Sequence, residues 1–160
     1  MATISLQEAE VVKTLFDGPA VVLNRPEAAG QSFARGAFVY LVNGQVTALA
    51  GTPNDSVILG MALHAASGVT GTNVQVALAT ADVIFAANVT TAQVTALADV
   101  GKSYGFAIVS GRYHINKTVV SPTLTRLLIV DVDSRDVLGD TQGRLHFIVL
   151  SKYRQFDVTS

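Results

Sequence analysis

One turn-rich connection near the end of this 160-residue chain carries the residues whose types and spacing most resemble a binding site. Asp131 and Asp133 are followed by Asp136 and Asp140, and hard cations take several carboxylate and carbonyl oxygens from a tight loop. The segment begins like a calcium loop, but Arg135 departs from that pattern and no Glu closes it. The spacing therefore favours aspartates that end a strand, start turns and face water.

The three histidines, His64, His114 and His146, are far apart in the sequence, and none has another histidine two or four positions away. Their convergence on a zinc ion in the folded chain is an alternative. His146 alternates with Leu145 and Phe147, which predicts a position on the outer face of a strand. The sequence predicts no metal site.

Signatures of catalysis and of nucleotide binding are missing from the sequence. There is no cysteine, no Gly-x-Ser-x-Gly elbow, and neither a P-loop nor a Gly-x-Gly-x-x-Gly after a strand. We predict a protein that is not an enzyme, with no catalytic residue, no cofactor and no small-molecule substrate. A small hydrolase, or a carbohydrate- or nucleotide-binding β-barrel, that uses His114, Asp131 or Asp133 is the alternative from a different class.

Four aromatic residues could form a surface on which bases stack: Phe33, Phe38, Tyr40 and Phe85. They lack interleaved Lys and Arg, and the net charge of the chain is −1, so core packing explains them better and no nucleic-acid partner is predicted. The trio Lys152-Tyr153-Arg154 could touch an acidic partner, but such a trio is more often a solvated terminal segment.

From Phe33 onward, short apolar segments alternate with turns rich in Gly, Asn, Asp and Ser. The clearest hairpin spans 38–49, where Asn43-Gly44 supplies the two positive φ angles of a type I′ turn. The other predicted strands span 57–63, 73–79, 83–87, 104–109, 113–118, 124–132 and 144–150. The pattern predicts a mainly β fold, a small β-barrel or β-tulip-like sandwich, and the sequence shows no internal repeat of fixed period.

Two further segments are predicted to be helical or extended. Thr90 or Thr91 can cap a short helix over 92–99, which would end at Gly101. Residues 1–29 are predicted to be an N-terminal arm, with 30–160 forming the β domain. Residues 5–16 have a capping box and helical spacing, and an extended arm fits them equally well. We expect a chain without residues 2–24 to stay folded but to associate or attach less tightly.

The composition favours a protein that contacts other proteins. Charged residues make up 14% of the chain, against roughly 25% in typical domains, which indicates that part of the surface is covered by protein. The alternative is a small core rich in Ala and Val. The first residues are not expected to be a secretion signal, because no basic region precedes an apolar run there, and no apolar run reaches the roughly 20 residues needed to span a bilayer. No membrane partner is predicted.

Several segments together carry a resemblance to a known family: Gly30-x-x-Phe33-x-x-Gly36-x-Phe38-Val39, the Asn43-Gly44 hairpin, Ile58-Leu-Gly60-Met-Ala, Val74-Gln-Val, and the ending from Ile129 to Val149. Over residues 30–150 the chain resembles the head decoration proteins (cement or auxiliary capsid proteins) of tailed bacteriophages. Their common core is a small barrel-like β-fold, the β-tulip. The N-terminal segment lies outside this pattern.

The resemblance implies a structural virion protein, made in the host bacterial cytoplasm and located on the capsid exterior. Such proteins bind the outside of the expanded capsid, often as homotrimers at threefold positions, where they bridge subunits of the major capsid protein and resist the pressure of the DNA. Another virion component on the same kind of barrel is the alternative, such as part of a tail tube, a head-fibre base or a baseplate.

Overall fold

A computed structural model describes residues 3–4, 7–15, 18–51 and 53–156, which form two antiparallel β-sheets packed as a sandwich. Strands and isolated bridges account for 44% of the described residues and helices for 4%, so the prediction of a mainly β fold is confirmed. The strands are β1 (Glu10–Thr14), β2 (Val22–Pro26), β3 (Phe38–Val42), β4 (Gln45–Ala48), β5 (Gly60–Ala62), β6 (Asn73–Leu78), β7 (Val83–Asn88), β8 (Ser103–Val109), β9 (Arg112–Asn116), β10 (Leu127–Val132) and β11 (Arg144–Val149).

The six-stranded sheet has the order β1-β7-β11-β10-β8-β9, and the five-stranded sheet has the order β2-β6-β5-β3-β4. Both sheets are strongly curled. A parallel bridge joins Glu27, just after β2, to Val46 in β4, and a second one joins Val89, just after β7, to Ile115 in β9. Strands from opposite sides of each sheet therefore meet, as in a barrel.

Aromatic side chains fill the space between the sheets. Phe38 projects from the five-stranded sheet, and its ring centroid lies 5.3 Å from that of Phe85, 4.7 Å from that of Phe106 and 5.9 Å from that of Phe147. These four side chains are fully buried, and such pairs each stabilise the fold by about 0.5–1.5 kcal/mol beyond the burial of their area. Phe38 thus links the two sheets.

The two hairpin turns follow from positive φ angles. Asn43 and Gly44 have φ values of 50° and 79°, so the predicted type I′ turn between β3 and β4 is confirmed. Ser110 and Gly111, with φ values of 51° and 75°, make the same kind of turn between β8 and β9.

The N-terminal segment differs from its helical prediction. Glu10–Thr14 is strand β1 and pairs with β7, so the extended alternative is correct for these residues. The capping residue Ser5 lies outside the described residues. The segment also contributes β2, which pairs with β6. Each sheet thus takes one edge strand from residues 1–29, which were expected to form a separate arm.

The predicted helix over 92–99 is also wrong in its extent: one turn of 3-10 helix remains, at Leu97–Asp99. Ala92 has a φ of 65°, which a right-handed helix does not allow. Val94 instead makes a bridge to Thr141, and the Gln93 carbonyl accepts the backbone N–H of Gln142. Pairing with the β10–β11 connection therefore outweighs the local helical preference. A second 3-10 turn lies at Ser151–Tyr153.

The two sheets share one topology, a repeat that the sequence did not predict. Adding five to each strand number of the five-stranded sheet gives the order β7-β11-β10-β8-β9, which is the six-stranded sheet without β1. Backbone hydrogen bonds outside the strands repeat as well. In the first half, the N–H groups of Glu27, Ala28 and Gly36 donate to the carbonyls of Thr72, Val46 and Ala62, respectively. In the second half, the N–H groups of Val89, Thr90 and Gly101 donate in the same order to the carbonyls of Gly143, Ile115 and Ile129.

Candidate assembly surface

The aspartates of the β10–β11 connection serve the connection itself. Asp133 is buried, and the guanidinium of Arg135 donates to both of its carboxylate oxygens. Asp136 accepts the backbone N–H of Arg144 at 2.6 Å. Within the part of the chain that the structure describes, no group of three or more His, Asp or Glu side chains could hold a metal ion.

An ionic network joins this connection to the N-terminal strand. Glu10 on β1 accepts from Arg135 at 2.8 Å and lies 2.9 Å from Arg144, and His146 lies 3.6 Å from Asp133. Hydrogen bonds from Arg135 hold the pKa of Asp133 well below its ordinary value, against the opposing effect of burial. Through Glu10, Arg135 and Arg144 anchor β1 to the β10–β11 connection and to β11. Sequence reasoning missed Glu10, because its partners lie more than a hundred positions later.

His114, Asp131 and Asp133 do not surround one cavity. His114 lies on β9, which β8 separates from β10, and its side chain is completely buried. Asp131 is exposed on β10. The shallow cavity beside Asp133 is lined by β1 residues and His146, and His114 is not part of it. The geometry therefore does not support a hydrolase that uses these three residues.

Buried polar side chains elsewhere hold loops in place. Glu27 is fully buried, and its carboxylate accepts the backbone N–H groups of Ser67 and Gly68, both at 2.8 Å. Asp99 accepts from Lys117 at 2.7 Å and from the Tyr104 hydroxyl at 2.8 Å. Burial alone would raise the pKa of Asp99, but these donors outweigh it and the pKa is lowered. Both carboxylates are thus engaged in structure.

The aromatic residues weighed as a stacking surface belong to the core. Phe33, Phe38 and Phe85 are buried, and the half-buried Tyr40 packs against the core to which they belong, so the packing interpretation is confirmed. Residues 152–154 are not a solvated tail. The guanidinium of Arg126 lies 3.6 Å from the ring centre of Tyr153, and Arg154 makes a parallel bridge to Ile58.

Exposed apolar side chains are the remaining candidates for function. Four of them form what we term the Leu97 patch: Leu97, Val100, Val137 and Leu138, which are 66%, 42%, 69% and 49% exposed. The Gly139 N–H donates to the Thr95 carbonyl at 2.9 Å, which brings together the two connections that carry these side chains. Apolar side chains that cluster on a surface commonly mark a protein contact.

A second group lies at the opposite end of the sandwich. We term Leu15, Val21 and Val22 the Val21 patch; these side chains are 54%, 56% and 46% exposed. Backbone hydrogen bonds from Leu15 to Asp82 and from Leu78 to Val21 place the patch at the β6–β7 connection. The Leu97 patch lies beyond the other end of β7, where the β10–β11 connection enters β11.

Comparisons of the chain with protein-family models, with curated proteins and with solved structures find no match. No helix in the described ranges is long and apolar enough to cross a lipid bilayer. The function is therefore inferred from the residues and the geometry given above.

Proposed function

We propose that the protein is a structural component of a tailed-phage virion that binds the outer surface of the expanded capsid and bridges subunits of the major capsid protein. It acts on the capsid exterior, after synthesis in the host cytoplasm, and as a homotrimer. The observation that carries the proposal is the Leu97 patch, an exposed apolar surface on connections that backbone hydrogen bonds tie to each other and to β10.

The buried carboxylates also support a structural role for the protein. Asp99, Asp133 and Glu27 are each engaged by donors of the chain's own loops, so their burial is explained by structure rather than by a ligand. The fold is also of the class that the resemblance implies, a small mainly β sandwich. A rigid body with an apolar contact surface is what a protein that acts by fitting against a lattice requires.

The energetics of decoration are compatible with a patch of this kind. A stable contact buries about 1,200–2,000 Å² in total, of which the Leu97 patch supplies the apolar centre. A trimer that engages three positions at once gains avidity of about 10²–10⁴ without any new contact. Each subunit can therefore bind weakly while the assembly binds tightly.

The test is co-sedimentation with undecorated expanded capsids. The wild-type protein is expected to pellet with the capsids, and the double variant Leu97→Asp with Val137→Asp is expected to bind at least tenfold more weakly, because it places two charges in the contact. The control is Val69→Asp, at a 64% exposed valine outside both patches.

Wild-type protein that stays in the supernatant would count against the proposal, as would equal binding of the double variant and the control. Tubes or hexameric rings formed by the free protein would instead favour the tail-tube or baseplate alternative.

A further inference from the structure

The shared topology exposes a difference between the two sheets. In the six-stranded sheet, β7 lies between β11 and β1, so β1 covers its outer edge. The counterpart of β7 in the five-stranded sheet is β2, which pairs with β6 and ends that sheet. Among the described residues, no strand occupies the side of β2 that corresponds to β1; only the bridge from Glu27 to Val46 lies there, beyond the end of β2.

The hydrogen-bonding groups that β2 leaves open can be identified. The Val21 carbonyl accepts a hydrogen bond from the Leu78 N–H, and the Glu27 N–H donates to the Thr72 carbonyl. Between these two bonds, the backbone N–H and C=O groups of Leu23 and Arg25 therefore point toward β6. In an antiparallel pair the alternate residues point the other way, which directs the N–H and C=O groups of Val22 and Asn24 outward. Both residues are exposed, and the Asn24 carbonyl accepts a hydrogen bond at 3.3 Å from the exposed guanidinium of Arg25, which pairing with another strand would replace.

The other strand edges in the described ranges are protected. β1 has an irregular register next to the exposed Lys13, and bulges and lysines are common protection for edge strands. The edge of β4 receives the Ala28 N–H at the Val46 carbonyl, and the edge of β9 receives the Thr90 N–H at the Ile115 carbonyl. The edge of β2 between Val22 and Asn24 has no bulge, and the charge beside it is the exposed guanidinium of Arg25 at the Asn24 carbonyl.

We propose that β2 pairs antiparallel with β2 of a second copy of this chain, about a twofold axis at Leu23. In this register Val22 of each copy faces Asn24 of the other, so all outward N–H and C=O groups of both residues are paired. A register that placed Pro26 opposite Val22 would lose bonds, because proline has no N–H to donate. The five-stranded sheets of the two copies become one continuous sheet.

The occupant is a second copy because the edge is complementary to itself. A twofold contact uses the same patch on both partners, and Val22 and Asn24 supply equal numbers of donors and acceptors. The exposed Val21 side chain then lies opposite Arg25 of the other copy. The contact joins copies in pairs, so it links neighbouring trimers if the chain also forms trimers. It is measured on the free protein and does not depend on capsid binding.

The first test is disulfide trapping. The chain has no cysteine, so an introduced cysteine can form a disulfide only with the same residue of another copy. Residues facing each other at Leu23 form a non-hydrogen-bonded pair with Cα atoms about 4.5 Å apart, within the range for a disulfide. The Leu23→Cys variant is expected to give, on mild oxidation, a covalent dimer of twice the 16.8 kDa chain mass. Val120→Cys is the control, because Val120 is 62% exposed in the β9–β10 connection and belongs to neither patch.

Equal cross-linking of the two cysteine variants, or none at position 23, would overturn the proposal.

The second test compares Asn24→Pro, which removes an outward N–H, with Asn24→Ala, which keeps it. By sedimentation equilibrium, the wild type and Asn24→Ala are expected to contain an even number of chains, and Asn24→Pro half that number. If circular dichroism shows that the proline variant is unfolded, Val22→Lys is compared with Val120→Lys in the same way. An odd number of chains in the wild type, or an unchanged mass in the edge variants, would contradict β2 pairing.

Discussion

The side chain of His114 is completely buried on β9, and neither ring nitrogen has a hydrogen-bond partner. Burial lowers the pKa of the imidazole, and the positive charge of Arg112 lowers it further. Backbone groups of Val109 and Asn88 lie near the ring and oppose this shift, but neither meets the geometry of a hydrogen bond. His114 is therefore neutral in the folded protein at pH 7, and a proton on it is unfavourable.

This burial makes stability depend on pH. The unfolded chain protonates His114 near its ordinary pKa of about 6.5, while the folded chain resists protonation until a lower pH. The stabilisation from a neutral His114 is thus complete above about pH 6.5 and is lost as the pH falls below it, by at most about 1.4 kcal/mol per pH unit. Urea unfolding between pH 7.5 and 5 measures this loss.

The His114→Leu variant isolates the effect, because it keeps a similar volume without a titrating group. It is expected to lose less stability than the wild type between pH 7 and 5. If the unfolding free energies of the two proteins depended on pH in the same way, the pKa of His114 would be the same in the folded and unfolded chains.

Single residues of this kind could be picked out from the sequence, but their environments could not. His114 was weighed as a catalytic or zinc residue because histidine can do both, and its burial depends on how β9 packs. Glu27 was not identified from the sequence, because the N–H groups of Ser67 and Gly68, which donate hydrogen bonds to its carboxylate, lie about forty positions away. Side-chain partners that distant leave no local pattern.

At the scale of the elements, the five-stranded sheet depends on a close approach at Gly60. This residue begins β5, and a Cβ atom there would lie 2.0 Å from the carbonyl oxygen of Ala77 on β6. Backbone atoms cannot move away as a flexible side chain can. Only glycine allows β5 and β6 to pair at this point.

The Gly60→Ala variant is expected to lose at least about 3 kcal/mol of unfolding free energy, because the strands must separate or the new methyl group must overlap a backbone oxygen. Chemical denaturation measures the loss. Gly18→Ala is the matched control, since a Cβ at Gly18 meets nothing within 4 Å. Similar stabilities for the two variants would mean that β5 and β6 can separate at little cost.

The local sequence pattern was enough to predict most strands of the two sheets and the turn at Asn43-Gly44. The elements that were mispredicted are those whose structure depends on pairing with residues distant in the sequence. Asn43-Gly44 specifies its turn with two residues, whatever surrounds it. Val11 and Val12 suit a strand, Val12 also fits helical spacing, and the pairing of β1 with β7 selects the strand. The topological repeat escaped notice because matching residues, such as Gly44 with Gly111 and Glu27 with Val89, are separated by different distances along the chain.

At the scale of the whole molecule, the N-terminal segment is part of both sheets. β1 covers the edge of β7, and β2 ends the five-stranded sheet. Arg144 is buried and donates to Gln7 at 2.7 Å, besides its ion pair with Glu10. Removing these partners leaves the guanidinium buried without them, which is strongly destabilising.

A chain without residues 2–24 is therefore expected to lose its native fold at room temperature, contrary to the expectation from sequence for a separate arm. Far-UV circular dichroism, binding of a hydrophobic dye and size-exclusion chromatography measure this. A native spectrum with a cooperative thermal transition would show that the remaining strands are sufficient.

The pairing of β1 with β7 also sets the order in which the protein can form. Glu10 faces Ala86, so the ribosome must finish the first half of the chain and begin the second before the earliest strand has a place to dock. Contacts that span so much sequence slow folding, and chains dominated by them fold in milliseconds to seconds rather than microseconds. β1 therefore stays unpaired until β7 has been synthesised and has left the ribosome.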